Sequence, residues 1–203
     1  MAFIDQEFCE VAMNKEIEIT FRKLRLTDDL EKVAELIYNT YEYEGNLDKA
    51  KAILVNMIKG DTLYNYENIY VAISGETIVG MIVAARAPLS LKAEPMMDCY
   101  LEADAVVDGR FKKVYKEYYE LLNDEPDGIY IANVCVDKFF RGQGIGKKML
   151  TAFLRDDETY NLETVKANES AFALYTSMGF EMQYEYPGFT AVPCYRMTRK
   201  KKC

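Results

Sequence analysis

Residues 129 to 150 read IYIANVCVDKFFRGQGIGKKML, a stretch that passes from an apolar run through a glycine-rich turn into a helix-forming run. The apolar run, Ile129 to Val136, is rich in β-branched and aromatic residues on both alternating sides, which is typical of a strand covered on both faces. The turn, Arg141 to Gly146, carries three glycines. The first N–H groups of a helix lack internal acceptors, and glycines let the main chain approach a ligand closely. The stretch therefore predicts a central strand followed by an anion site at a helix start.

Two common phosphate-binding patterns fail on this turn. A P-loop needs a lysine followed by Ser or Thr, whereas Gly146 is followed by two lysines. A dinucleotide fingerprint needs G-x-G-x-x-G, whereas Gly142 to Gly146 reads G-x-G-x-G. What the turn does match is R-x-x-G-x-G after a strand.

The segment from Val136 to Gly146 resembles the coenzyme A binding motif of the GNAT family, the GCN5-related N-acetyltransferases. A second segment, ANESAFALYTSMGF from Ala167 to Phe180, resembles the family's companion motif, and the two occur in the family's order. The resemblance covers residues 17 to 198, interrupted at 86 to 128. It implies an α/β fold whose mixed, mostly antiparallel sheet has a splayed parallel central strand pair and flanking helices. It also implies transfer of an acetyl group from acetyl-CoA to a primary amine of a small molecule or peptide.

The resemblance also implies roles for individual residues. Main-chain groups of the motif strand would contact the pantetheine and the developing oxyanion, and the glycine turn would hold the pyrophosphate. Tyr175 would be the catalytic acid for the leaving thiolate, because a phenol with an unperturbed pKa of about 10 is protonated at neutral pH. The predicted coenzyme-binding residues are Val134, Cys135, Val136, Arg141, Gly142, Gln143, Gly144, Ile145, Gly146 and Asn168.

The sequence leaves the general base open. Histone-modifying members carry a glutamate early in the motif strand, and the matching position here is Tyr130. Glu42, Glu44 or a water held by Tyr130 and Asn133 could substitute. Cys135 lies in the motif strand, but a buried free cysteine is usually inert packing. We therefore predict direct attack by the amine and no acetyl-cysteine intermediate.

The composition excludes several other classes of function. The net charge of −8 argues against nucleic-acid binding and favours a cationic amine acceptor. The absence of histidine removes the commonest transition-metal ligand, so no catalytic metal is expected. No apolar run is long enough to span a membrane, and no leader pattern is present. The five scattered cysteines lack a C-x-x-C pair, which predicts free thiols and a cytoplasmic location.

The remaining segments follow the order of elements that the resemblance implies. Residues 16 to 26 alternate as a first strand, with a slip near Arg22 that suggests a bulge. Thr27 to Asp29 predicts a helix start, with Glu31 placed for reciprocal capping. Residues 69 to 85 predict a hairpin with a glycine-containing turn. Further predicted elements are helices at 47–59, 144–157 and 169–178 and strands at 162–167, 180–186 and 191–199.

Residues 86 to 128 depart from the family pattern, which has a short loop at this point. The spacing from Arg110 to Leu122 predicts a helix inside this insertion. We expect one acetyltransferase-like domain over residues 1 to 203, with the insertion near the acceptor site and shaping acceptor choice. It could equally form a homodimer surface or be a simple elaboration. Two other functions stay open: a catalytically inactive coenzyme A binding sensor or interaction module, and a nucleotide-phosphate enzyme that uses the glycine turn.

Overall fold

The structure is a computed structural model that describes residues 18–40, 47–86, 128–187 and 192–202. The described strands form one seven-stranded sheet in the order β1-β2-β3-β4-β5-β7-β6. The strands are β1 (Thr20–Lys23), β2 (Ile69–Ser74), β3 (Thr77–Arg86), β4 (Ile129–Val136), β5 (Tyr160–Val165), β6 (Glu181–Pro187) and β7 (Pro193–Arg199). The helices are α1 (Leu30–Tyr38), α2 (Leu47–Lys59), α3 (Ile145–Phe153) and α4 (Glu169–Ser177), with 3-10 turns at Tyr66–Asn68 and Lys138–Phe140.

The sheet is mixed, because β4 and β5 run parallel while every other neighbouring pair is antiparallel. Helices α1 and α2 pack on one face, against the core cluster that contains Tyr130 and Cys135. Helices α3 and α4 pack on the other face, against the cluster that contains Ile131 and Leu162. This arrangement confirms the predicted fold class.

The parallel strands β4 and β5 separate along their length. They pair only from Ile129 to Ile131 on β4, opposite Tyr160 to Leu162 on β5. Beyond that point β4 stays paired with β3, and β5 stays paired with β7. A gap therefore opens between the carboxyl halves of the two central strands, as the splayed pair requires.

A β-bulge lies where the strands separate. Ile131 pairs with Ala84 and Asn133 pairs with Val83, so Ala132 has no opposite residue on β3. A bulge bends its strand and increases the local twist, which directs β4 away from β5. The bulge suggested near Arg22 is wrong, because β1 pairs with β2 in unbroken register.

Helix α1 begins one residue later than a capping box would need. Asp29 is the N-cap and accepts a hydrogen bond from the Lys32 main-chain N–H at 2.9 Å. Reciprocal capping requires the glutamate at the third helical position, which Lys32 occupies, so the prediction for Glu31 is wrong. Glu31 instead forms an ion pair with Lys51 of α2 at 3.8 Å.

The insertion leaves and rejoins the sheet at neighbouring positions. Arg86, the last residue of β3, is the register partner of Ile129, the first residue of β4. Both attachment points thus lie at the amino end of β4, and the glycine turn follows its carboxyl end. Residues 87 to 127, with the predicted helix from Arg110 to Leu122, lie outside the described residues.

None of the described helices has the length and apolar character needed to cross a membrane.

Candidate active site

The glycine turn leads into the start of α3, where the first main-chain N–H groups have no side-chain cap. Gly144 is the N-cap of this helix at φ +73°, and no side chain caps the helix start. Gly142 also has a positive φ, and a Cβ at either glycine would meet nothing within 4 Å. The first N–H groups of α3 therefore face open space, where a phosphate would find donors and the positive end of the helix dipole.

Side chains around this turn have distinct positions. Arg141 Nε donates to the Val136 carbonyl at 3.1 Å, which holds the turn against the end of β4 and keeps a cation beside it. Gln143 is exposed, whereas Ile145 is buried in the core, so Ile145 can meet a ligand only through its main chain. Gly146 lies inside the first turn of α3, close to Leu174 of α4.

Main-chain groups of β4 differ in direction along the strand. The Asp137 N–H donates to Val79 of β3 at 2.9 Å, and Val136 is the register partner of Gly80. Main-chain hydrogen bonds to the neighbouring strand alternate from residue to residue in an antiparallel ladder. Cys135, two residues before Asp137, therefore directs its main-chain groups toward β3, while Val134 and Val136 direct theirs into the gap. The two valines can therefore offer main-chain donors in the gap, and Cys135 can offer only its side chain.

Tyr175 projects from α4 and is 8% exposed. Its ring packs edge-on against Phe180, with the ring centroids 5.9 Å apart. Burial, and after it the Cys135 thiol, raises the pKa of Tyr175 to about 12. Tyr175 belongs to the core cluster under α3 and α4, whereas Cys135 belongs to the cluster on the other face of the sheet.

Cys135 is a free, buried cysteine beside this tyrosine. Burial is the main cause that raises the pKa of the Cys135 thiol to about 11. The thiol is therefore protonated at neutral pH, and a thiol is a poor nucleophile compared with a thiolate.

Asn168 caps the helix that carries Tyr175. Its Oδ1 accepts from the Ala171 N–H at 3.1 Å and from the Ser170 hydroxyl at 2.9 Å. The side chain is exposed. The cap fixes the start of α4 and occupies this oxygen, so any ligand contact of Asn168 would use its other polar groups. Its predicted contact with pantetheine remains a prediction.

A buried ion pair lies on the α1 and α2 face of the sheet and was missed by the sequence reasoning. Arg196 of β7 is 2% exposed and donates to Glu163 of β5 at 3.0 Å. Its guanidinium also lies over the ring of Tyr130, 5.5 Å from the centroid. The available signal was a charged residue at an alternating position inside each of two otherwise buried strands.

The predicted candidates for the general base were Glu42, Glu44 and a water held by Tyr130 and Asn133. Glu42 and Glu44 lie outside the described residues. Tyr130 is 2% exposed beneath Arg196, and Asn133 is 7% exposed beside the gap.

Comparison with known families identifies the chain. The model of the acetyltransferase (GNAT) family matches residues 30–180, more than half of the chain, so the chain belongs to this family of acyltransferases. Comparison with curated protein sequences found no match.

Solved structures share the fold. An N-acetyltransferase from Staphylococcus aureus Mu50 matches 88% of this chain and 99% of its own, with a TM-score of 0.66 and 19% identity. The protein PH1933 from Pyrococcus horikoshii OT3 matches 92% of this chain and 100% of its own, with a TM-score of 0.57 and 24% identity. Naa50 from Arabidopsis thaliana, in complex with the bisubstrate analogue CoA-Ac-MVNAL, matches 90% of this chain and 98% of its own, with a TM-score of 0.52 and 16% identity.

Proposed function

We propose that this chain is an N-acetyltransferase that moves an acetyl group from acetyl-CoA to a primary amine by direct attack. The observation that carries the proposal is the gap between β4 and β5, with an uncapped glycine turn after the carboxyl end of β4 and the buried Tyr175 on the helix that follows β5. The turn from Arg141 to Gly146 would hold the pyrophosphate. The main chains of Val134 and Val136 would contact the pantetheine and the thioester oxygen.

The proposed reaction conserves atoms and protons. The amine nitrogen forms a bond to the acetyl carbon, and the bond from that carbon to sulfur breaks. The amine loses one proton and the thiolate gains one, so the products are the amide and free coenzyme A. A tyrosine of pKa about 12 is a weaker acid than a thiol of pKa about 8.5. Tyr175 would therefore first stabilise the thiolate by a hydrogen bond. Its proton would then pass to the thiolate, and the proton lost by the amine would restore the phenol.

The acceptor class is proposed from charge and from a structural neighbour. The net charge of −8 would attract cationic amines to the protein before they bind in the neutral, attacking form. Naa50 in the neighbour structure carries a peptide linked to coenzyme A, so a peptide amino terminus belongs in the panel beside small amines. If spermidine and n-propylamine are acetylated equally well at low salt, this steering proposal is wrong.

The experiment compares the wild type with Tyr175→Phe. Acetyl-CoA binding is measured by calorimetry, and turnover is followed as free thiol release across amines, amino acids, polyamines and peptides. We expect acetyl-CoA affinity to stay within about threefold and kcat to fall by about a hundredfold, a general acid's usual contribution. Coenzyme binding without turnover of any amine would instead favour the inactive sensor. Tight ATP binding that coenzyme A fails to displace would favour a nucleotide enzyme.

A further inference from the structure

Two polar side chains flank the gap on the face of the sheet that carries α1 and α2. Tyr160 and Leu162 belong to the core under α3 and α4, so Glu163 between Leu162 and Thr164 points to the other face. Asn133 contacts Thr40 directly after α1, which places it on this same face. Both residues lie just beyond the last paired positions of β4 and β5. They therefore line the gap opposite the helices that carry the glycine turn and Tyr175.

The carboxamide of Asn133 has a fixed orientation. The Thr40 hydroxyl donates to the Ile37 carbonyl at 2.6 Å, so its oxygen is left to accept. The Asn133 amide nitrogen donates to that oxygen at 2.8 Å. A flipped carboxamide would require the Thr40 hydroxyl to turn away from the Ile37 carbonyl, so the orientation in the structure is the one that keeps both hydrogen bonds.

The other end of this side chain has no partner. Asn133 is 7% exposed, and its Oδ1 atom is buried without a hydrogen-bond donor among the described residues. Buried polar atoms in native proteins are nearly always paired, and an exception of this kind needs an explanation. A carbonyl oxygen can only accept, so the missing partner is an N–H or O–H group.

A third polar group of this face lies on β6. Tyr186 is the register partner of Cys194, which alternates onto the side of Arg196. Its hydroxyl is buried beside the Glu163 carboxylate. Burial, followed by this carboxylate, raises the pKa of Tyr186 above its ordinary value. The face thus holds the unpaired Asn133 oxygen near an ion pair whose charges cancel.

We propose that Asn133 Oδ1 accepts a hydrogen bond from the attacking amine, on the side of the gap lined by Glu163 and Tyr186. The inference rests on the proposed function and names the acceptor side of the same site. A neutral primary amine has two N–H groups, so one can bind Asn133 while the lone pair points at the thioester carbon. An ammonium group has no lone pair and would bring an uncompensated charge to a neutral ion pair.

The test pairs two substitutions that break the same hydrogen bond from opposite ends. Asn133→Ala removes Oδ1, whereas Thr40→Val removes only the partner of the amide nitrogen. With n-propylamine and spermidine as acceptors, we expect Asn133→Ala to lower kcat/KM for the amine by about tenfold or more. We expect Thr40→Val to stay within about threefold, and acetyl-CoA affinity to stay within about twofold in both. Equal losses of amine kcat/KM in the two variants would mean that Asn133 only supports local structure, and would overturn the inference. An unchanged amine kcat/KM in Asn133→Ala would also overturn it. So would a loss of acetyl-CoA affinity in Asn133→Ala as large as the loss of amine kcat/KM.

A binding measurement on the wild type separates this inference from the proposed function and needs no variant to fold. The side-chain amide signals of Asn133 are assigned by triple-resonance NMR in the coenzyme A complex, and the same two amines are titrated at pH 9. A saturable shift of these signals supports the inference even if no amine is acetylated. The absence of a shift up to 50 mM amine overturns it even if acetylation is observed.

Discussion

Burial holds both Tyr175 and Cys135 in their protonated forms. The pKa values are raised to about 12 and about 11. A protonated phenol can donate a hydrogen bond to a thiolate, whereas a protonated thiol cannot attack a thioester efficiently. The same apolar environment thus favours the tyrosine as a donor and removes the cysteine as a nucleophile.

The cysteine is expected to be dispensable for turnover. Cys135→Ala should keep kcat within about threefold of the wild type, because an acetyl-cysteine intermediate would need a thiolate that burial suppresses. Steady-state kinetics with the best amine acceptor provides the measurement. Loss of kcat by a hundredfold in a folded variant, or mass-spectrometric detection of acetylated Cys135 in the wild type, would contradict direct attack.

The pKa of Tyr175 predicts a specific loss of stability at alkaline pH. An acid whose pKa is raised from about 10 to about 12 on folding stabilises the protein fully below pH 10, and this contribution disappears as pH rises through 12. Between pH 9 and pH 11 the free energy of unfolding should fall by about 1.4 kcal/mol more in the wild type than in Tyr175→Phe. Urea unfolding at the two pH values measures the free energy of unfolding of the wild type and of Tyr175→Phe. Identical pH dependence would mean that the phenol is solvated in the folded state.

At the scale of elements, the glycine turn combines a backbone constraint with the proposed binding of the pyrophosphate. Gly144 sits at φ +73° and caps α3, so a side chain there strains the backbone even though open space surrounds it. Gly75, in the turn between β2 and β3, has φ +60° and equally open surroundings. It differs in belonging to the hairpin between β2 and β3 and not to the turn before α3, which makes it a matched control.

Alanine at the two positions should separate the backbone constraint from binding. Gly144→Ala and Gly75→Ala should each lower the free energy of unfolding by about 1–2 kcal/mol. Only Gly144→Ala should weaken coenzyme A binding, by about tenfold, because it shifts the N–H groups at the helix start. Chemical denaturation and calorimetry give the two quantities. Equal coenzyme affinities in both variants would show that the turn does not hold the pyrophosphate.

Helices and strands were predictable where neighbouring residues in the sequence determine them. Their details were less predictable where residues distant in the sequence determine them. Strand β4 and helix α3 follow from alternation and glycine placement, and both are present. The start of α1 was predicted correctly within Thr27 to Asp29, but the capping role of Glu31 was wrong, because Asp28 and Asp29 are equivalent cap candidates by sequence. The structure separates them through Arg22, whose guanidinium binds Asp28 at 2.8 Å and leaves Asp29 to cap the helix. The bulge at Ala132 depends on pairing with β3, which no local pattern records.

At the scale of the whole molecule, the sheet divides the candidate site into two sides. The glycine turn and the helix with Tyr175 were predictable, because both are short contiguous motifs. On the proposed acceptor side, Asn133 was predicted only as a residue that could hold a catalytic water. Its placement on one face with Glu163 and Arg196 was not predicted, because the three residues come from three strands. Their types also give little local signal, since polar residues in strands are usually solvent-facing.

The attachment of the insertion allows the two sides to be separated experimentally. The Ile129 N–H donates to Thr159, so the hydrogen-bonded pair nearest the insertion is Ala85 with Tyr130, and a four-residue loop can join these two residues. Replacing residues 87 to 127 by one asparagine leaves such a loop, Arg86-Asn-Gly128-Ile129. We expect the shortened protein to keep the sheet and to bind coenzyme A within about threefold of the wild type, because the glycine turn lies at the other end of β4.

The same shortened protein tests whether the insertion selects the acceptor. If it does, relative kcat/KM values across the amine panel should change by about tenfold or more while coenzyme affinity holds, since discrimination comes from contacts with the acceptor alone. Circular dichroism and calorimetry establish folding and coenzyme binding before the panel is run. An unchanged order of acceptors would assign the insertion to another surface of the protein. Loss of coenzyme binding in a folded variant would instead place part of the donor site within residues 87 to 127.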